Sequence, residues 1–257
     1  MASTERQKGL LQFLQQSPTP FHAVANMAML LDEAGFQRLD SSNSWNLDKN
    51  SRYYVCRNDS ALIAFKTGAA DLPDSGFRIA GAHTDSPCLK IKPHADVSNQ
   101  GYAQLGVEVY GGALLHPWFD RDLSIAGRVN YQNADGSLAS ILVDLKDPVG
   151  FIPSLAIHLD RTANEGRAIN KQKELPPILL QLDEDEKFNF EDYLLEYLQE
   201  NMGCLDANVV LSHELLLYDT QAPALVGLRK QFISSARLDN LLSCFVALHA
   251  LIESKDE

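Results

Sequence analysis

Phe77-Arg78-Ile79-Ala80-Gly81-Ala82-His83-Thr84-Asp85-Ser86-Pro87 reads as a short strand that runs out at a glycine into a loop. The loop carries a histidine and a carboxylate two residues apart. Strand ends deliver functional side chains, and His-x-Asp in that setting suits a metal site. One imidazole nitrogen would bind the ion, while the other needs a fixed acceptor that sets the tautomer. Asp85 is a candidate for that acceptor, or for a carboxylate that shapes the site from behind the first ligand. A buried histidine bonded near a turn explains the same residues, so the rest of the chain has to decide.

The chain has 257 residues, 45% of them hydrophobic and 22% charged, ordinary values for a soluble globular protein of one large or two smaller domains. A formal charge of −12 argues against a general nucleic-acid or anionic-membrane binder, so neither partner is expected. Cys56, Cys88, Cys204 and Cys244 lie far apart with no Cys-x-x-Cys pair, and read as reduced thiols in a reducing compartment. The stretch Met1 to Lys8 is polar, without the apolar core of a signal peptide, and no apolar run is long enough to span a bilayer. A cytoplasmic protein is expected.

Outward from the opening stretch, the pattern predicts two helices ahead of it. The first, from about Thr4 to Gln16, places Leu10, Leu11, Phe13 and Leu14 at helical spacing. Ser17-Pro18-Thr19-Pro20 breaks the chain, and Thr19 is placed to cap a second helix with Pro20 in its first turn. Ala23, Val24, Met27, Leu30 and Leu31 form its buried face and Gly35 stops it. Strands follow at Tyr53 to Cys56, Ala61 to Phe65 and Arg78 to Ala80, an α/β pattern. From Leu89 onward the runs become β-like, including Leu105 to Tyr110, Ser124 to Tyr131 and Leu138 to Leu145, with turns at Gly111-Gly112 and Asp135-Gly136. A helix is expected near Phe190 to Gln199, and the acidic run Asp183 to Glu186 reads as a solvated face rather than a calcium loop. After Ser234 the helical pattern returns, with Leu241, Leu242, Phe245, Val246, Leu248 and Leu251 as its apolar positions. Asp239, near the start of that helix, is either its N-cap or a carboxylate bridging two metal ions. The expected organisation is residues 1–88, an inserted mostly β domain over 89–230, and the first domain resumed over 231–257.

These motifs in this order resemble the aspartyl aminopeptidase family, which includes the vacuolar aminopeptidases. The likeness runs through Ser17-Pro18-Thr19-Pro20-Phe21-His22-Ala23-Val24, Gly81 to Pro87, and Trp118-Phe119-Asp120-Arg121-Asp122-Leu123. It continues through Ile157-His158-Leu159 and closes on Ala236-Arg237-Leu238-Asp239-Asn240. The resemblance implies a three-layer α/β domain of the zinc aminopeptidase kind, incomplete over these residues, with an inserted mostly β oligomerisation domain. It implies two zinc ions, with His83 a ligand of one and Asp239 bridging both. Asp85 would orient the first ligand. His158, carried on the inserted domain into a neighbour's site within a large homo-oligomer, would meet substrate or the developing oxyanion, a metal-ligand role being left open. Asp120 and Asp122, with Arg121 between them, read as structural. His94, His116, His213 and His249 have no assignable partner, and His22 no derivable chemistry.

The implied reaction is hydrolysis of the first peptide bond of peptides with free, preferably acidic, N-termini. The metals would bind the α-amino group, polarise the carbonyl and acidify a water, and a glutamate would move the proton. The family's Glu-Glu pair would fall beyond residue 257, as would later ligands. Glu253, Asp256 and Glu257 sit at a polar helix end and are poor substitutes. The chain by itself is therefore expected to be inactive, since catalytic zinc sites use three protein ligands. A non-catalytic assembly module is the alternative, and a carboxypeptidase or deacylase on a related scaffold a third reading.

Overall fold

The computed structural model describes residues 2–70 and 76–255. It divides into two compact units, Met1–Ser86 with Ala222–Glu257, and Pro87–Gln221. In chain order the first unit supplies α1 (Ala2–Gln16), α2 (Pro20–Glu33), β1 (Gln37–Arg38), β2 (Arg52–Arg57) and β3 (Ala61–Lys66). The second unit supplies β4 (Cys88–Asn99), β5 (Tyr102–Tyr110), β6 (Leu123–Asn133), β7 (Leu138–Asp144), β8 (Ile178–Gln181), α3 (Phe190–Asn201) and β9 (Ala207–Asp219). The first unit then resumes with β10 (Ala224–Val226), β11 (Phe232–Ser234) and α4 (Leu238–Glu253). The chain is thus of mixed α/β class. No helix among the described residues is long and apolar enough to cross a membrane.

Local chemistry sets the ends of α2. The Thr19 hydroxyl accepts the His22 N–H at 3.4 Å and lies 2.8 Å from His22 Nδ1, which gives His22 a structural role. Pro20 takes the first turn at no cost in hydrogen bonds. At the far end Gly35 adopts φ +78°, and the Phe36 N–H returns to the Leu31 carbonyl at 2.9 Å. Leu10, Phe13 and Leu14 of α1 and Val24, Met27 and Leu31 of α2 bury against Leu241, Phe245 and Leu248 of α4. The Phe13 and Phe245 rings lie 5.7 Å apart. Tyr54 of β2 joins this core and its hydroxyl donates to Asp32 at 2.7 Å. Burial first, then that bond, push the phenol up to about 12, so it stays a donor.

One expectation changes here. Arg78–Ala80 is not a strand: residues 76–87 take no regular structure, and Phe77 and Ile79 are exposed. A strand is defined by its neighbour, and among the described residues the three-stranded sheet is complete as β1-β2-β3. On α4, Leu242 and Val246 face outward, because the buried stripe runs through Leu241, Cys244, Phe245 and Leu248. The β10–β11 hairpin groups with the first unit, where Ile233 packs on its core.

The second unit is a six-stranded antiparallel sheet in the order β7-β6-β9-β4-β5-β8. Leu89, Ile91, Leu105, Val107, Ile125, Val129, Leu215 and Leu217 point to one face, where Phe190, Leu194 and Leu198 of α3 cover them. α3 begins where Asn189 accepts the Asp192 N–H at 2.9 Å and Asp96 accepts the Phe190 N–H at 3.0 Å. Strands β6 and β9 pass so closely that a Cβ at Gly127 would overlap the Glu214 carbonyl and stand 2.9 Å from Leu215 Cα. Gly127 also holds φ +154°. Gly127→Ala is expected to cost about 3 kcal/mol, read as a lower urea midpoint for the chain; an unchanged midpoint would show that the strands can part freely.

Candidate metal centre

The first unit brings the 76–87 segment against the start of α4. His83 Nδ1 donates to the Asp85 carbonyl at 3.0 Å, with the Asp85 carboxylate 3.4 Å away. Nδ1 is thereby committed as a donor, and Nε2 is the ring nitrogen turned toward the start of α4. Nε2 faces Asp239 Oδ1 at 3.2 Å. At that distance a protonated Nε2–H donates to the carboxylate, whereas a neutral ring and the carboxylate can share a cation. The spacing is close to the roughly 3.3 Å that two ligands about 2.0–2.1 Å from a tetrahedral ion would show.

Asp239 is not an N-cap. Its side chain is 92% exposed and the capping position belongs to Arg237, in the left-handed region at φ 60°. Asp239 and Asn240, joined by a cis peptide, lie outside helical values, and the Leu241 N–H bonds the Arg237 carbonyl at 3.2 Å. The Arg237 guanidinium reaches the Ser17 carbonyl at 3.1 Å and the Leu14 carbonyl at 3.3 Å. Arg237 thereby ties the turn bearing Asp239 to the end of α1. Charge-assisted bonds to otherwise unsatisfied helix-end carbonyls explain an arginine at this motif position.

Three side chains outside the motif's obvious chemistry hold the loop. The Thr84 hydroxyl donates to the Ser60 carbonyl at 2.8 Å. The Ser86 hydroxyl donates to the Asp239 carbonyl at 2.9 Å, and the Cys244 thiol to the His83 carbonyl at 3.2 Å. Burial, with a smaller contribution from Asp85, pushes the Cys244 thiol up, so it remains protonated and able to donate. From sequence Cys244 is only a reduced thiol and Ser86 has no role, because their partners are more than 150 residues away.

The donor set fits part of a zinc site. An imidazole with its second nitrogen fixed and an open carboxylate are suitable ligands, but no group of three or more His, Cys, Asp or Glu converges among the described residues. Glu253 is engaged elsewhere, 2.6 Å from Arg6; Asp256 and Glu257 lie outside the described residues.

His158 belongs to the second unit, on an exposed turn flanked by Leu155, Ile157 and Leu159, each more than half exposed. Two residues on, Asp160 binds Arg167, which also pairs with Glu174, so an ion-pair cluster holds this irregular segment. The Trp118–Leu123 motif is structural here. Asp120 accepts the Ser154 N–H at 2.8 Å, which holds its carboxyl below the usual range, while Arg121 meets Gln221 at 2.7 Å and Asp219 at 3.3 Å. The Asp122 carbonyl accepts the Thr220 N–H and hydroxyl, both at 3.0 Å. Of the unassigned histidines, His249 lies 4.2 Å from Phe245 with the rings tilted by 52°, and His213 lies edge-on to Phe190, kept neutral by burial and then by Lys90.

The family described as aminopeptidase I zinc metalloprotease (M18) matches residues 13–257. A probable M18 family aminopeptidase 2 of Pseudomonas fluorescens is 55% identical over 250 residues, 97% of this chain and 58% of that protein. A chain in the structure of an Ape4 and Nbr1 complex superposes with a TM-score of 0.91 at 37% identity, covering 98% of this chain and 51% of that one. A mApe1 dodecamer from S. cerevisiae gives 0.78 at 30%, covering 95% and 55%. The chain thus spans little more than half the length of these relatives.

Proposed function

The chain belongs to the M18 family of aminopeptidase zinc metalloproteases, and on that premise we propose that the whole protein removes N-terminal residues, preferably Asp or Glu, from unblocked peptides. The observation that carries the reading is His83 Nε2 facing Asp239 Oδ1 at 3.2 Å with Nδ1 already committed to Asp85. The preference for acidic residues follows the likeness of the motif set to aspartyl aminopeptidases.

His83 and Asp239 would hold zinc, two ions in the complete site. Zinc there would supply Lewis acidity, polarising the scissile carbonyl and acidifying a water. The Asp85 carbonyl, bonded to Nδ1, would hold the imidazole in the tautomer that offers Nε2 to zinc, and the exposed Asp239 carboxylate would supply the second ligand. His158, on its apolar turn, would be presented to a neighbour within a homo-oligomer and donate to the developing oxyanion. The four cysteines are free, which supports a cytoplasmic setting.

The test uses aminoacyl amides of Asp, Glu and Leu, with free or acetylated N-termini, and the whole protein with chelator and zinc add-back. Release from free Asp and Glu substrates, lost on chelation and restored by zinc, is expected. The 257-residue chain alone should show none, because only two donors converge among its described residues. A non-catalytic assembly module is the second reading, favoured by the exposed Leu155, Ile157 and Leu159. Metal-free oligomers without any hydrolysis would establish it instead.

A further inference from the structure

The segments bearing His83 and Asp239 are tied by two bonds that cross. Ser86, three residues after the histidine, binds the carbonyl of Asp239 at 2.9 Å; Cys244, five residues after the aspartate, binds the carbonyl of His83 at 3.2 Å. Each segment thus supplies a side chain that fixes the backbone of the other's donor. The donor side chains are open to solvent, those of His83 and Asp239 being 54% and 92% exposed. Little packing holds them, so the spacing of the two acceptors must come from the backbone.

We infer that Ser86 and Cys244 are positioning residues that pre-set the His83–Asp239 pair for a metal ion. This rests on the zinc aminopeptidase reading. Without the crossed bonds the two segments are free to separate, and an ion would have to restore the spacing of its own ligands at a cost in affinity. Partners that orient metal ligands without touching the ion are typically worth about 10–100-fold in affinity.

The experiment is zinc titration of the metal-free whole protein in competition with a chromophoric chelator, for wild type, Ser86→Ala, Cys244→Ala and Cys244→Ser. The alanine variants are expected to bind zinc about 10–100-fold more weakly. Cys244→Ser, whose hydroxyl still donates, should recover most of the loss. Thermal midpoints of metal-free wild type and Ser86→Ala should coincide, a combination that a purely structural role would not produce. Because Cys244 is buried, its alanine variant may be judged only if folded; Ser86→Ala decides the matter otherwise. Wild-type affinity in Ser86→Ala would overturn the inference. A wild-type protein that binds no zinc would overturn the metal-site reading beneath it.

Discussion

Asp239→Ala in the whole protein is expected to lose more than about 100-fold in activity, beyond what an outer partner of a metal ligand is worth, together with its bound zinc. The same substitution should leave stability within about 0.5 kcal/mol, as for other surface changes. Both halves follow from one environment. The carboxylate is 92% exposed, caps no helix and faces only His83 Nε2 across a gap that suits a cation. Its removal therefore opens no cavity and strands no buried partner. A variant that is folded, metal-replete and active would sink the proposed centre; one that fails to fold would make Asp239 a structural residue after all.

His158→Ala carries the second large effect: a fall in kcat of about 10²–10³-fold, the usual worth of one oxyanion donor, with zinc content unchanged. Since His158 sits on an exposed turn of the second unit, the proposal assigns it to a neighbouring subunit. Mixed oligomers of His158→Ala and Asp239→Ala chains should then regain activity that neither has alone. An intact His83–Asp239 pair in one protomer would meet an intact His158 from another. Mixtures that stay as inactive as their components would show that His158 does not act between subunits.

Features governed by short-range rules were legible in the sequence. The Thr19 cap, Pro20 and Gly35 act within a few residues of themselves, and α2 takes its expected bounds from them. The His-x-Asp spacing likewise let the Nδ1 acceptor be anticipated at Asp85, although the closer atom is its carbonyl at 3.0 Å rather than its carboxylate at 3.4 Å. What failed were readings that depend on distant partners. Arg78–Ala80 has strand composition but no paired neighbour among the described residues. The β9 strand, at the centre of its sheet, was not singled out, because its sequence alternates poorly. Asp239 has the residue type of a cap, yet the backbone leaves helical values there, beside an Arg237 that reaches back to α1.

The discontinuity of the first unit sets an order for events at the ribosome. Leu10, Phe13 and Leu14 bury against Leu241, Phe245 and Leu248, and all of Pro87–Gln221 is made between them. At roughly 5–20 residues per second, the apolar faces of the first two helices wait on the order of ten seconds for their third. During that wait the β sheet, contiguous in sequence, can close on its own core. The β sheet is therefore expected to gain protease resistance on stalled nascent chains before the opening helices do; equal resistance of both at every length would refute that order.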